Sequence, residues 1–227
     1  MNVSASPIAA MNHQALSTGS PSSRSSVVTA TELADLAAIF AATTNVVIHR
    51  RALAPELHID VSRALRGPPL RVTTALDPAS DPDALAQQLP GLPALAADVL
   101  HWCEVLQELA GCASVGVRLT RLTSAMCPRM HVDKVQVRLV STYAGAGTEL
   151  LAHEDTDRRF LGHAARGAPD ERSGLLRPGA RVRSAAPGDV VLLKGEAWPG
   201  NAGRGAVHRS PAASDDAPRL VLTLDPL

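Results

Sequence analysis

Residues 127–133 read CPRMHVD, and the histidine and aspartate in them stand two apart just ahead of the alternating run KVQVRLV. In an extended strand residues i and i+2 share a face. If His131 and Asp133 open the strand that KVQVRLV continues, their imidazole and carboxylate point at one place. A turn and a chance spacing are the two plainer readings of the same pair. His208 follows in GAVHRSP, after PGDVVLLKG and a Gly-rich loop, where a later strand can return beside the first. Two histidines and one carboxylate make a facial donor set that leaves coordination positions open. Taken singly, the two histidines also fit hydrogen-bonded residues at strand ends. Arg219 opens RLVLTLD, eleven residues after His208. A guanidinium can form a forked pair with a carboxylate that lysine does not reproduce. A cosubstrate with an α-keto acid at one end and a carboxylate at the other, such as 2-oxoglutarate, would span metal and arginine; a surface arginine on a strand is the alternative.

The elements that must position these groups divide the chain in three. Residues 1–28, including STGSPSSRSS, are rich in Ser, Ala and Thr, lack periodicity, and read as a disordered tail. Residues 29–112 read as mainly helical. Thr29 and Glu32 have capping-box spacing, with Leu33, Leu36, Ala37 and Phe40 on one helical face, and NVVIHR reads as a short strand. DPDALAQQL begins a helix with Asp81 as N-cap and Pro82 at the first helical position. The strongest helix is LPALAADVLHWCEVLQELAG, with Leu92, Leu95, Val99, Trp102, Leu106 and Leu109 in a stripe and Gly111 as its stop. That stripe assigns Trp102 and Cys103 to the core.

After Gly111 the apolar period changes to two. Val115, Val117 and Leu119 share a face, as do Val135, Val137 and Leu139; RVRSA, DVVLLKG and RLVLTLD follow as short strands between Gly, Pro, Asn and Asp clusters. About eight strands fit residues 113–227, which suits a double sheet of the jelly-roll or cupin-like kind. The expected class is α+β: N-terminal helices packed on a C-terminal double-stranded β-helix.

Composition narrows the function. At 227 residues the chain can bury a real core, and its net charge of zero gives no basic excess for nucleic acid or an anionic membrane surface. Phe40, Trp102, Tyr143, Phe160 and Trp198 are its aromatics, so Leu, Val and Ala must fill the interior. Cys103, Cys112 and Cys127 are odd in number and without framework spacing, which fits a reducing compartment. No apolar run approaches the ~20 residues of a membrane span, and no secretory signal is evident. A cytoplasmic protein that binds neither nucleic acid nor membrane is the expectation. No P-loop or dinucleotide fingerprint and no nucleophilic triad appears.

His131, Asp133, His208 and Arg219, in that order and strand context, resemble the pattern of the Fe(II)/2-oxoglutarate-dependent dioxygenase superfamily. LVSTYAGAGTELL resembles the stretch that follows the metal-binding strand there, and APGDVVLLKGEAWPGNAGRGAVHRSP the strand, loop and distal histidine. The likeness covers roughly residues 115–227. It implies Fe(II) held by His131, Asp133 and His208, and 2-oxoglutarate paired with Arg219. It also implies hydroxylase-type C–H oxidation of a small molecule or protein side chain, coupled to decarboxylation of the cosubstrate to succinate. Where the superfamily often has Ser or Thr two residues after the basic residue, Val221 stands here. Tyr143 would hydrogen-bond the cosubstrate by the same resemblance, or else is a half-buried sheet aromatic. CPRMHVD also resembles a proteobacterial family known only as a domain of unknown function, whose members lie near metal-homeostasis genes. That second likeness implies an alternative: a cupin-like protein that binds Zn(II) for metal homeostasis without oxygenase activity. Cys127 near the metal would favour zinc; a small buried residue before Pro128 is its preferred reading. His153 and His163 are expected in a solvated loop. Trp198, Asn201 and Arg204, among glycines, are expected at the mouth of the site, where they would choose the substrate.

Overall fold

Helix α3, Pro93–Ala110, forms where the sequence stripe predicts it, with Pro93 in its first turn and Gly111 closing it at a φ of 62°. Only glycine takes that left-handed conformation without a Cβ clash. Leu95, Val99, Trp102, Cys103 and Leu106 are buried along one side. The structure, a computed structural model, describes residues 25–79, 83–162 and 167–227. The tail at 1–24, the cap expected of Asp81 and Pro82, and His163 lie outside the described residues. Helix α1, Pro55–Arg66, has Pro55 in its first turn, buries Leu57, Val61 and Ala64, which recur at helical spacing, and turns Asp60 inward. The Asp60 carboxylate accepts the backbone N–H groups of Ala94 (2.7 Å) and Leu95 (3.2 Å). An acid on one helix thus satisfies the free donors at the start of another. Helix α2 is the short segment Ala84–Gln88.

Residues Leu33–Phe40 wind as a 3-10 helix, capped by Glu32 and Asp35 rather than by Thr29 and Glu32. Thr29 is not free to cap, because it belongs to strand β1, Val27–Ala30. Three residues per turn stack i on i+3, which puts Leu36 and Ile39 on one buried side; Leu33, at the start of the same row, is exposed.

The remaining strands are β2 Val46–His49, β3 Arg71–Leu76, β4 Val115–Leu122, β5 Val137–Ala144, β6 Glu149–Leu151, β7 Arg183–Ser184, β8 Val190–Lys194, β9 Val207–Arg209 and β10 Arg219–Pro226. Seven of them form one sheet in the order β1-β2-β8-β5-β10-β4-β3, and β7-β6-β9 form a second. All pairings are antiparallel except β1 with β2. This is the expected α+β jelly-roll architecture, with two refinements. Strands β1, β2 and β3 come from the region read as mainly helical and extend the large sheet at both edges, and β1 starts at Val27, inside the stretch read as tail. Seven strands, not eight, follow residue 113 among the described residues.

Strict alternation sorts the large sheet into two faces. Val115, Val117, Leu119, Val137, Leu139, Leu220, Leu222 and Leu224 pack against the helices. Val140, Val191, Leu193 and Val221 face the other way, toward Leu150, Ala152 and Ala206 at the second sheet. The candidate site opens on that second face. No helix among the described residues is long and apolar enough to cross a membrane.

Candidate metal centre

His131 and His208 face each other across an isolated antiparallel bridge, and each backbone N–H donates to the other's carbonyl at 3.0 Å. Directly opposed residues in such a pair send their side chains to the same face, and the two imidazole centroids are 4.4 Å apart. Each ring is then fixed by its own chain: Nδ1 of His131 lies 2.9 Å from the carbonyl of Arg129, and Nδ1 of His208 lies 3.0 Å from that of Ala206. A carbonyl only accepts, so Nδ1 carries the proton and the neutral ring turns its Nε2 lone pair inward. Asp133 completes the group, with His208 Nε2 3.3 Å from its Oδ2 and His131 Nε2 3.8 Å from its Oδ1. One ligand atom from each of the three lies within 4.8 Å of the others. Two nitrogen lone pairs and a carboxylate aimed at one point repel one another unless a positive charge lies between them. The donor types suit a divalent metal of the iron group.

Asp133 reaches this point by a route different from the expected one. Strand β5 begins at Val137, and residues 134–136 bend away from the ladder. The bend is clamped to the end of β8 and the turn after it: Gly195 N–H donates to Gln136 O (2.8 Å), Glu196 N–H to Asp133 O (2.9 Å) and Ala197 N–H to Val135 O (3.1 Å). A Cβ at Gly195 would overlap the carbonyl of Val135, so this approach requires glycine. Convergence of His131 and Asp133 comes from this clamp rather than from a shared strand face.

Burial and neighbouring charge keep His131 and Asp133 in their ligating forms. Burial pushes the His131 imidazole down, helped by the neighbouring His208, so the ring is neutral at pH 7. Burial by itself raises the Asp133 carboxyl, but its neighbours His208, Arg138 and His131 outweigh it and hold it at about 2, so it is ionised at pH 7. Arg138 Nη1 donates to Asp133 Oδ2 (2.7 Å) while its other nitrogens hold Asp225 at 2.7 and 3.1 Å.

A buried carboxylate that sequence reasoning missed ties the two histidine segments together. Asp170 Oδ1 accepts Arg129 Nε (2.9 Å), and its Oδ2 accepts Met130 N–H (2.9 Å) and Arg209 Nη1 (3.0 Å). Those donors immediately precede His131 and follow His208. By holding the residues next to the two histidines, Asp170 fixes the backbone from which the ligands project. Asp170 opens a single 3-10 turn, Asp170–Arg172, too short for periodicity, and its partners are some 40 residues away, so no local signal marks it.

Beside the donors lies a cavity of about 540 Å³ into which His131, His208, Ser210, Thr148, Arg219 and Val221 project. Arg219 is 2% exposed. Its Nε donates to Ala146 O (2.5 Å), Nη1 to Ser210 Oγ (2.6 Å) and Nη2 to Thr142 Oγ1 (3.3 Å). All three acceptors are neutral, and no carboxylate among the described residues is within ion-pair distance. Burial pulls the guanidinium down to about 10, with only Glu149 opposing. Ser210 and Thr142 thus provide the hydroxyls that Val221 lacks. Gly145, in the GAG turn around this arginine, has a φ of 81°, and a Cβ there would stand 2.7 Å from Pro218 O and 2.8 Å from Arg219 Cγ. Gly145→Ala should therefore lower stability by at least the ~1–2 kcal/mol of a left-handed L-residue, read as a fall in thermal midpoint, and should weaken any ligand that depends on Arg219.

Other expected site residues fall elsewhere. Tyr143 shares the parity of Val137 and Leu139, so it faces the helices; its hydroxyl donates to Asp98 Oδ2 at 2.7 Å, and Asp98 also pairs with Arg51. It does not reach the cavity. Cys127 is exposed rather than buried and lines the cavity wall, but it is not in the ligand group. Trp198 and Asn201 do not form the mouth either. Trp198 is buried against Phe40 (5.6 Å between centroids), with Lys194 Nζ 4.9 Å from its ring, and the Asn201 amide donates to Gly195 O (2.9 Å). Their loop supports the clamp on Asp133. Arg204 is half-buried and is not a cavity residue. His153 is half-buried and accepts a hydrogen bond from Arg158 Nε (3.2 Å).

Comparison with known proteins follows the same lines. Over residues 30–225 the chain matches the model of the family described as "Protein of unknown function (DUF1826)". No curated protein matches it in sequence. Its fold is similar to that of the Fe(II)/α-ketoglutarate-dependent dioxygenase TqaL, with a TM-score of 0.50, 13% identity and 85% of each chain covered. A dioxygenase for auxin oxidation from rice gives 0.48 at 17% identity, over 88% of this chain and 82% of that one. A prolyl-4-hydroxylase from Pseudomonas putida gives 0.43 at 15% identity, over 87% and 94%. At these identities the likeness is one of fold.

Proposed function

We propose that this chain, which belongs to the DUF1826 family, is an Fe(II)- and 2-oxoglutarate-dependent oxygenase acting on a C–H bond of a small molecule or a protein side chain. The observation that carries the reading is that both histidines of a three-donor metal group and a guanidinium buried without an acid partner among the described residues line one cavity. A lone buried charge is costly, and the carboxylate of a ligand is its natural counter-ion. His131, Asp133 and His208 would hold the metal and Arg219 the distal carboxylate of 2-oxoglutarate. The bound metal would supply the redox chemistry that couples decarboxylation of 2-oxoglutarate by dioxygen to substrate hydroxylation. The protein's own part is positional. Arg129 O and Ala206 O fix the imidazole tautomers, Arg138 holds Asp133, and Ser210 and Thr142 orient the Arg219 fork. We place this chemistry in the cytoplasm, where free thiols such as those of Cys103, Cys112 and Cys127 persist.

Anaerobic titration of the full chain with Fe(II) and then 2-oxoglutarate tests the reading. A weak visible charge-transfer band should appear with 2-oxoglutarate, and succinate should be released on admitting air. Arg219→Met should lose the band while retaining Fe(II). Tight Zn(II) binding that weakens in Cys127→Ser, with no response to 2-oxoglutarate, would overturn the proposal in favour of a zinc-binding protein.

A further inference from the structure

Past Arg219 the cavity runs outward across β10 and β4 to edge strand β3. Antiparallel register sets Arg71 opposite Thr120 and Thr73 opposite Arg118, and all four side chains line the cavity. They form a two-by-two patch with guanidiniums on one diagonal and hydroxyls on the other. Directly opposed Cβ atoms in such a sheet are about 4.5–5.5 Å apart and diagonal ones about 7–8 Å. Two guanidiniums at that spacing can approach one oxyanion from two sides without crowding each other. Arg118 gives one nitrogen to Asp225 (2.6 Å). Arg71 is exposed, and among the described residues it has neither an acid nor a hydrogen-bond partner for its side chain. The hydroxyls of Thr73 and Thr120 likewise make no hydrogen bond that crosses the patch. No Asp or Glu among the described residues lines the cavity. A charge on an edge strand also discourages strand addition, but that role requires neither a second guanidinium on the diagonal nor hydroxyls between the two.

We propose that this patch binds an anionic group, carboxylate or phosphate, on a small acidic substrate. The assignment to substrate rests on the oxygenase reading, which gives Arg219 to 2-oxoglutarate. Arg219 lies two strands over and two residues along from Arg71, more than about 10 Å between backbones, and its own nitrogens are held by Ala146, Ser210 and Thr142.

Three probes of similar size test the proposal: benzoate, phenyl phosphate and the neutral benzamide. Each is titrated into the full chain with Zn(II) and 2-oxoglutarate at saturation, and binding is followed by calorimetry or ligand-observed NMR. At least one anion should bind about tenfold or more tighter than benzamide, the scale of a charge-assisted pair. Arg71→Gln should abolish that preference and leave 2-oxoglutarate affinity unchanged, which also shows that the variant folds. Benzamide binding as tightly as both anions, or a preference that survives in Arg71→Gln, would overturn the proposal. If 2-oxoglutarate fails to bind the wild-type chain, only the oxygenase reading falls. The anion preference, lost in Arg71→Gln and kept in Arg219→Met, would still assign the patch.

Discussion

His208→Ala should remove metal binding while leaving the fold in place. The imidazole is the only part of His208 directed at Asp133, whereas its backbone bonds to His131 are untouched by the substitution. Loss of an outer partner of a metal ligand typically weakens affinity about 10–100-fold. Removing one of three donors should exceed that range, measured as Co(II) or Fe(II) affinity against a chelating indicator. His131→Ala should behave the same way, and both variants should reduce succinate release to background. Metal affinity within tenfold of wild type in both variants, with folding intact by circular dichroism, would show that the metal lies elsewhere.

The histidine pair was legible in sequence because strand periodicity and a Gly-rich return loop are local signals, and backbone pairing does place His131 opposite His208. Asp133 was found for an incomplete reason. The alternation in KVQVRLV runs back past Val137, but the hydrogen bonds from Gly195 and Ala197 pull residues 135–136 out of the ladder. Such a clamp depends on contacts some 60 residues apart and leaves no trace in local periodicity. Tyr143 is a different kind of miss. Counting by twos from Val137 puts it on the helix-facing side with Leu139, and Arg138, Val140 and Thr142 on the cavity side. The resemblance drew Tyr143 to the site; parity, available in the sequence, argued against it. Helix α1 and strand β3 carry periodicity that sequence reasoning missed: Leu57, Val61 and Ala64 recur at helical spacing behind Pro55, and Val72, Thr74 and Leu76 alternate with Arg71 and Thr73, which turn to the cavity.

Asp170→Asn should loosen the metal centre without touching a donor. An amide can keep one acceptor role, but it cannot serve the Arg129 and Arg209 guanidiniums and the Met130 N–H with a full charge. Hydrogen bonds to charged groups are worth about 1.5–3 kcal/mol, and Arg129 is partly solvated, which favours the lower end. For a chain of this size that corresponds to a thermal midpoint lower by about 3–12 °C. Metal affinity should fall about 10–100-fold as the segments carrying His131 and His208 lose their common anchor. Acid separates this role from simple packing. Burial works to raise the Asp170 carboxyl, yet its bonds from Met130, Arg129 and Arg209 hold it below its ordinary value. Its contribution is therefore fully present above the unfolded carboxyl pKa of about 3.9 and is lost as pH falls through the lower folded value. In urea denaturation the gap between wild type and Asp170→Asn should be constant from pH 7 to 5 and narrow below about pH 4. A gap that stays the same down to pH 3 would mean that the carboxylate charge is not what joins the two histidine segments.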